Sequence, residues 1–142
     1  MSNAQATALQ SIYPALRYRD CPAAIAWLQS ALGFEENVIY PNDDGTIAHA
    51  QLQFGGNLIM LGSFPGGASG TVRPELGDVF AGGIYIALDT PAEVDAAFER
   101  AKAAGAEIVR ELTDTDYGSH EFGVKDPEGR GWSFGTYRPQ AT

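Results

Sequence analysis

The chain is short of cysteine and of positive charge, and each shortage excludes a class of protein. Cys21 is the one cysteine among 142 residues, so no internal disulfide can form, which fits a reducing cytoplasm. Only 9 Lys and Arg residues stand against 18 Asp and Glu, which gives a net charge of −9. Nucleic acids and anionic membrane surfaces both favour basic partners, so neither is an expected partner here. The acidity itself has two interpretations, solubility in the cytoplasm or attraction of a cationic ligand.

Long apolar runs and the common nucleotide and metal motifs are also missing. No run approaches the roughly 20 apolar residues that span a bilayer. Residues 1–10 are polar and rich in alanine, without the basic start and apolar block of a secretory signal, and we expect them to form a flexible tail. No Walker loop, GxGxxG, HExxH or CxxC pattern occurs. Any ligand site must therefore be built from residues that are scattered along the chain.

The sequence does contain an internal repeat with a spacing of about 70 residues. The matched pairs are Asp20 with Asp89, Gly33 with Gly105, and Gly56 with Gly129. Their offsets are 69, 72 and 73 residues, so the two halves are expected to share one topology. A module of this size cannot bury its own sheet face, and two copies should therefore pair, with a ligand between them.

Each half predicts a strand, a helix and three further strands. Asp20 is a good N-cap, with Pro22 in the first helical turn and Gly33 as the stop signal. In the second half either Asp89 or Thr90 can cap the helix. The predicted strands are 11–19, 34–40, 47–54, 57–61, 83–88, 107–112, 121–125 and 132–137. These elements predict an α+β fold.

The predicted organisation is a pair of βαβββ modules with short ends. The segments are a tail at 1–10, a first module at 11–63, a connection at 64–81, a second module at 82–138 and a C-terminal tail at 139–142. The connection contains Gly, Pro and Ser without periodicity. It is either a linker or a flap over a pocket, or both at once.

Three motifs in this framework carry a resemblance to a known family. They are the Leu16–Asp20 pattern, Leu32-Gly33-Phe34, and the Asp126-Pro127-Glu128-Gly129 turn before a final aromatic strand. Over residues 12–138 the sequence resembles the vicinal oxygen chelate superfamily, which includes glyoxalase I, extradiol dioxygenases and bleomycin resistance proteins. The resemblance implies a curled mixed sheet around a cleft, helices on the outer face, and commonly a homodimer.

The resemblance also implies where a metal would be bound, and this chain departs from the pattern there. The four family positions fall at Tyr13, Met60, Gly83 and Ser133. A shift of the third by one or two residues would reach only Ile84 or Tyr85. Divalent ions of the usual kind need His, Glu or Gln donors at such positions. We therefore expect no metal ion and no other cofactor.

The sequence nevertheless indicates a ligand pocket. Alternation places His49, Gln51 and Gln53 on one strand face, either as a pocket wall or as an ordinary solvated face. Arg17 either binds a carboxylate or phosphate of the ligand or pairs with a local acid such as Glu121. The predicted ligand-binding residues are Tyr13, Arg17, His49, Gln51, Met60, Tyr85, Phe122 and Ser133, with Phe64 or Phe80 from the connection as further candidates. Their aromatic members could instead be plain core, as we expect for Trp27, Trp132 and Phe134.

Two histidines are the candidate catalytic residues, since histidine can move a proton near neutral pH. His49 lies on a predicted strand, and His120 lies beside a turn, where a histidine is more often a rim residue. A metal site from these two and Glu121 is disfavoured, because alternation puts His120 and Glu121 on opposite faces. A nucleophilic Cys21 is also disfavoured, because no histidine is near it in sequence.

These observations favour a cytoplasmic, metal-independent protein that sequesters or carries a cationic or aromatic small molecule in a cleft between modules. The alternative is a glyoxalase-like lyase or isomerase that uses a histidine base with an atypical metal site or none. A third hypothesis is a stress or regulatory partner protein with a vestigial cleft.

Overall fold

The computed structural model describes residues 10–64 and 83–140. The first module consists of β1 (Ala15–Tyr18), α1 (Cys21–Leu32), β2 (Glu35–Pro41), β3 (Ile47–Phe54) and β4 (Asn57–Ser63). The second consists of β5 (Gly83–Ala87), α2 (Pro91–Ala103), β6 (Glu107–Asp114), β7 (His120–Lys125) and β8 (Gly131–Gly135). This confirms the α+β class and the two βαβββ modules. Most of the predicted tails and of the predicted connection, with Phe80, lies outside the described residues.

The two modules have the same sheet topology, as the internal repeat predicts. The first sheet has the order β1-β4-β3-β2 and the second has the order β5-β8-β7-β6. The first strand of each module runs parallel to the last, and the other pairs are antiparallel. The parallel pair is possible because the helix crosses over between its two strands.

Local chemistry sets the helix ends. The Asp20 carboxylate accepts a hydrogen bond from the Ala23 N–H at 3.1 Å, and Gly33 ends α1 with a φ of 84°. At α2 the cap is Thr90, whose hydroxyl and the Glu93 carboxylate form a reciprocal capping box. Among the described residues, neither helix is long and apolar enough to cross a membrane.

The first strand is shorter than the predicted 11–19, because a side chain replaces its outer half. Pro14 has no N–H to donate, and β1 begins only at Ala15. Beyond it, the Gln10 amide pairs with the backbone of Leu58, donating to its C=O at 2.9 Å and accepting from its N–H at 2.7 Å. This side chain satisfies the groups that a longer β1 would have paired.

Both modules contribute to one hydrophobic core. Phe34 contacts Trp132 with ring centroids 5.7 Å apart, and Phe54 contacts Phe134 at 6.1 Å. These rings lie on the helix-bearing faces of the two sheets, and Trp27 packs partly buried against the same cluster. Since the two helix-bearing faces meet within the chain, the other face of each sheet points outward. We call these outward surfaces the open faces.

A buried carboxylate connects the modules at the edge of the core. Asp126 is 4% exposed and accepts hydrogen bonds from the Tyr18 hydroxyl at 2.6 Å and from the Trp132 indole N–H at 3.1 Å. Its other oxygen accepts the backbone N–H groups of Glu128 and Arg130, both at 3.0 Å. Four donors therefore satisfy this carboxylate, and one of them comes from the first module.

The same turn also contacts the start of α1. The Glu128 carboxylate accepts the backbone N–H groups of Arg19 and Asp20 at 2.7 and 2.8 Å. The Arg130 guanidinium lies 5.1 Å from the centre of the Tyr18 ring, close enough for a cation–π contact. The Asp126–Gly129 turn therefore fixes how the second module sits against the first.

Candidate functional site

The open face of the first sheet carries a cavity of about 180 Å³. Arg17, His49 and Met60 line it, so the structure brings three of the predicted ligand-binding residues together. The predicted alternation on β3 is observed, since the His49 Nε2 and Gln51 Oε1 atoms are 2.9 Å apart on one face. Tyr40 stacks on the His49 ring, with centroids 6.2 Å apart. This face therefore offers an imidazole and a flexible thioether around one guanidinium.

Within residues 10–64 and 83–140, Arg17 forms no ion pair with an acid and instead bonds to the backbone of the sheet. Its Nη1 atom donates to the Ser63 C=O at 3.1 Å. A Cβ at Gly62 would lie 3.0 Å from that Nη1 atom, so the bare backbone there makes room for the guanidinium. Of the two interpretations of Arg17, the pairing with Glu121 is not formed, because Glu121 bonds to Arg110 on the other sheet.

Tyr13 lies just before β1 and is 37% exposed. Its hydroxyl donates to the Gln10 C=O at 2.8 Å, and it is not among the residues that line the 180 Å³ cavity. Phe64, from the predicted connection, donates its N–H to the Tyr18 C=O directly after β4. Neither ring is part of the cavity wall.

The open face of the second sheet carries a cavity of about 290 Å³, which Ser133 and Arg110 line. Tyr85 lies opposite Ser133 in the β5–β8 register, and its hydroxyl donates to the Tyr137 C=O at 2.6 Å. Desolvation raises the pKa of Tyr85, so this hydroxyl stays protonated at neutral pH. Tyr85 is therefore a hydrogen-bonding residue beside Ser133 rather than a source of phenolate, and it is not among the residues that line the 290 Å³ cavity.

A polar cluster on the same face goes beyond what the sequence indicated. The Glu121 carboxylate, 5% exposed as a residue, bonds to Arg110 Nη1 at 3.2 Å and to the Tyr117 hydroxyl at 3.2 Å. A Cβ at Gly135 would lie 2.6 Å from the Glu121 side chain, so the glycine provides its space. The sequence could have indicated this cluster through Glu121, a lone glutamate among apolar residues on β7, since a buried charge needs a partner.

Phe122, one of the predicted ligand-binding residues, is part of the hydrophobic core. It is fully buried, with its ring stacked on Phe134 at 5.2 Å and against Phe98 at 5.3 Å. On β7 the side chains alternate, so Glu121 and Gly123 face outward while Phe122 and Val124 face the helix. We therefore assign Phe122 to the core.

His120 lies on the helix side of β7, away from both open faces. Its Nδ1 and Nε2 atoms are each 2.7 Å from a carboxylate oxygen, of Asp114 and Asp95 respectively. These hydrogen bonds raise the pKa of His120, because both ring nitrogens donate only in the protonated form. A protonated ring held this way has no free nitrogen with which to accept a proton from a ligand.

The side chains present do not fit the divalent metal site that the family resemblance implies. In the described ranges 10–64 and 83–140, no three His, Cys, Asp or Glu side chains come close enough to hold a metal ion. The two carboxylates at His120 lie on opposite sides of its ring and do not converge. Met60 and Ser133, which the resemblance assigns to two of the metal positions, offer a soft thioether and a neutral hydroxyl.

A third cavity and the single cysteine lie apart from the open faces. A cavity of about 260 Å³ lies at the seam between the modules, where Phe54, Ile59 and Ile86 give it an apolar wall beside Tyr85. Burial raises the pKa of the Cys21 thiol to about 12, so the cysteine is not a nucleophile at neutral pH.

Comparisons with known proteins agree with this architecture. The profile of the Glyoxalase/Bleomycin resistance protein/Dioxygenase superfamily matches residues 10–134. An uncharacterized protein of Mycobacterium bovis is 33% identical over 130 residues, covering 88% of this chain and 82% of that protein. The crystal structure of TioX from Micromonospora sp. ML1 is 30% identical with a TM-score of 0.67, covering 94% of this chain and 100% of that one. A lactoylglutathione lyase structure from Agrobacterium tumefaciens has a TM-score of 0.65 at 22% identity, over 90% of this chain and 94% of that one, and shows a shared fold. The chain belongs to the glyoxalase/bleomycin resistance protein/dioxygenase superfamily.

Proposed function

We propose that this protein binds a small organic molecule on its open sheet faces without a metal ion, and acts by sequestering or carrying it in the cytoplasm. The observation that carries the proposal is the donor set. The family resemblance assigns Tyr13, Met60 and Ser133 to positions where metal-dependent members place strong ligands. A divalent ion held by a thioether and two neutral hydroxyls would gain too little to give up its water.

The two open faces, which carry Met60 and Ser133, suit an organic ligand. Met60 and Ser133 lie on open faces whose walls combine flexible apolar and hydrogen-bonding side chains, as ligand pockets usually do. His49, Gln51 and Tyr85 add polar groups around them. The bond between His49 and Gln51 and the bond from the Tyr85 hydroxyl to the Tyr137 C=O hold these groups in place before a ligand arrives, which lowers the entropic cost of binding.

The geometry also supports a site shared between two copies of the chain. The cavities on the two open faces, about 180 and 290 Å³, are each smaller than the roughly 300–1,000 Å³ of typical ligand sites. Within one chain the open faces point away from each other, so they cannot enclose a ligand together. We propose a homodimer in which the first open face of one copy covers the second open face of the other.

Metal content and ligand binding test the central proposal. Protein purified without chelator is expected to contain far less than one divalent ion per chain by mass spectrometry. A binding compound is expected to raise the melting temperature equally with and without EDTA, since a ligand at 100 times its Kd adds about 2.7 kcal/mol. Stoichiometric metal, or binding that EDTA abolishes, would contradict the proposal.

A cavity-filling variant locates the site. Met60→Trp places a large ring in the 180 Å³ cavity and is expected to abolish ligand-induced stabilisation. Gln29→Trp, on an exposed position of α1, is the matched control and is expected to keep it. Equal binding by both variants would place the ligand elsewhere.

Light scattering after size exclusion tests the shared site. We expect twice the chain mass for the wild type. A monomer that still binds the ligand would refute the two-copy arrangement and leave the rest of the proposal standing.

A second candidate function rests on His49. It is a histidine that lines an open-face cavity, whereas His120 is engaged by two carboxylates. A lyase or isomerase using His49 as base is therefore the alternative, with lactoylglutathione formation as the first reaction to assay. Turnover by the wild type that His49→Gln removes, while Gln53→Ala retains it, would establish this alternative.

A further inference from the structure

The charged side chains that line the two open-face cavities are all basic. Among the described residues, Arg17 lines the first cavity and Arg110 and Lys125 line the second, and no Asp or Glu lines either. In the chain as a whole, 18 acidic residues outnumber 9 basic ones. The charge facing the cavities is therefore opposite in sign to the net charge of the protein.

Arg110 is fixed in place by a carboxylate that a ligand cannot reach. The Glu121 side chain is 7% exposed, while that of Arg110 is 47% exposed. The Tyr117 hydroxyl covers the same carboxylate with bonds of 3.2 Å to both oxygens. Glu121 thus neutralises one edge of the guanidinium. The other N–H groups of Arg110, which lines the cavity, have no partner in the described part of the chain.

Arg17 is held in a comparable way, by a neutral group. Its Nη1 atom donates to the Ser63 C=O at 3.1 Å, which orients the guanidinium without cancelling its charge. Gly62 beneath it lets the guanidinium lie close to the sheet. Side chains that are already oriented lose less entropy when they bind a carboxylate.

We propose that the ligand is an organic anion, a carboxylate with an aromatic or apolar body, and that Arg110 and Arg17 are its anchors. The inference rests on the proposed function, of which it specifies the ligand class. A guanidinium fork matches the two oxygens of a carboxylate, and a charge-assisted pair is stronger than a neutral hydrogen bond. In the shared site, Arg17 of one copy and Arg110 of the other face the same molecule. A cationic ligand, which the acidic composition suggested, would meet like charge at both anchors.

Three probes with one ring system test the sign of the charge. 2-Naphthoate, 2-naphthylmethanol and 2-naphthylmethylammonium share an aromatic body and differ in charge. By calorimetry at low salt with chelator present, 2-naphthoate is expected to bind at least about tenfold tighter than the ammonium compound. Added salt is expected to reduce this preference, because it screens charges at an exposed guanidinium.

Variants assign the preference to the anchors. Arg17→Gln is expected to weaken 2-naphthoate about tenfold and to leave 2-naphthylmethanol unchanged. Arg110→Gln would leave the buried Glu121 without its charged partner, so the double variant Arg110→Gln/Glu121→Gln is used, with the same expectation. Lys102→Gln removes an equal charge from an exposed position on α2 and is expected to change neither affinity by more than about twofold.

The outcomes distinguish a failure of the anion assignment from a failure of the proposed function. If the ammonium or the neutral probe binds as tightly as 2-naphthoate, or the arginine variants keep wild-type affinity for it, the anion assignment is wrong and the metal-independent binding function survives. If 2-naphthoate binds through the arginines but a stoichiometric metal is found, the function is wrong and the anion assignment survives. If no probe binds, both are overturned.

Discussion

Replacing Tyr18 by Phe removes a single hydroxyl from the contact between the modules and leaves the ring in place. That hydroxyl donates to Asp126 at 2.6 Å in a fully buried environment. Desolvation and the nearby Asp126 carboxylate raise the pKa of Tyr18, so the hydroxyl remains a donor throughout the accessible pH range. The variant leaves a buried carboxylate with one donor fewer.

The expected cost follows from the charge of the acceptor. Hydrogen bonds to charged groups contribute about 1.5–3 kcal/mol, so Tyr18→Phe should lower the free energy of unfolding by that amount. For a chain of this length the melting temperature should fall by roughly 5–10 °C. Because the hydroxyl does not titrate, the loss should be the same at pH 6 and pH 9.

Urea unfolding at fixed protein concentration measures this change, since a dimer would make stability depend on concentration. Tyr40→Phe is the control, because Tyr40 is 59% exposed, and it should change stability by less than about 0.5 kcal/mol. If Tyr18→Phe is as stable as the control, the carboxylate network does not hold the modules together.

Three other changes probe separate features of the fold. His120→Gln should cost about 0.5–1 kcal/mol near pH 6 and progressively less at higher pH. The pKa of His120 is higher in the folded state than in the unfolded state, where it is about 6.5. The stabilisation by His120 is therefore complete below about pH 6.5 and disappears as the pH rises through the folded-state pKa. A loss of stability in His120→Gln that grows with pH in urea titrations would refute this. Gly33→Ala, at a φ of 84°, should destabilise by about 1–2 kcal/mol in the same assay, whereas Gly56→Ala, with open space around it and no positive φ, should be nearly neutral. Phe122→Ala should cost about 3–5 kcal/mol if the residue is core, against less than about 0.5 for the exposed Val109→Ala, and comparable losses would argue against the core assignment.

The elements of the fold were predictable where neighbouring residues determine them. The Asp20 carboxylate and the Gly33 backbone act within one helical turn, so the sequence alone locates both ends of α1. The hairpin turn at residues 42–45 follows in the same way, with Gly45 at a φ of 88°. The length of β1 was not predictable, because it depends on Gln10 meeting Leu58, 48 residues away.

The candidate site was harder to predict, because sheet register decides it. Irregular pairing between β6 and β7 shifts the register on both sides of Arg110 and brings this residue opposite Gly123, from where it reaches Glu121. Simple alternation along a strand cannot anticipate a bulge. It also cannot say which face of β7 meets the helix, and for this reason the sequence left Phe122 open between a ligand wall and the core.

The Gln10 amide has a consequence for anyone who shortens this protein. The side-chain amide of Gln10 replaces a strand residue, because it hydrogen-bonds both the N–H and the C=O of Leu58 at the edge of the sheet. Without Gln10, the N–H and C=O of Leu58 would be unpaired and could bond to another protein chain. Exposed strand edges of this kind promote aggregation. A trimmed version for crystallisation or screening should therefore start upstream of this glutamine.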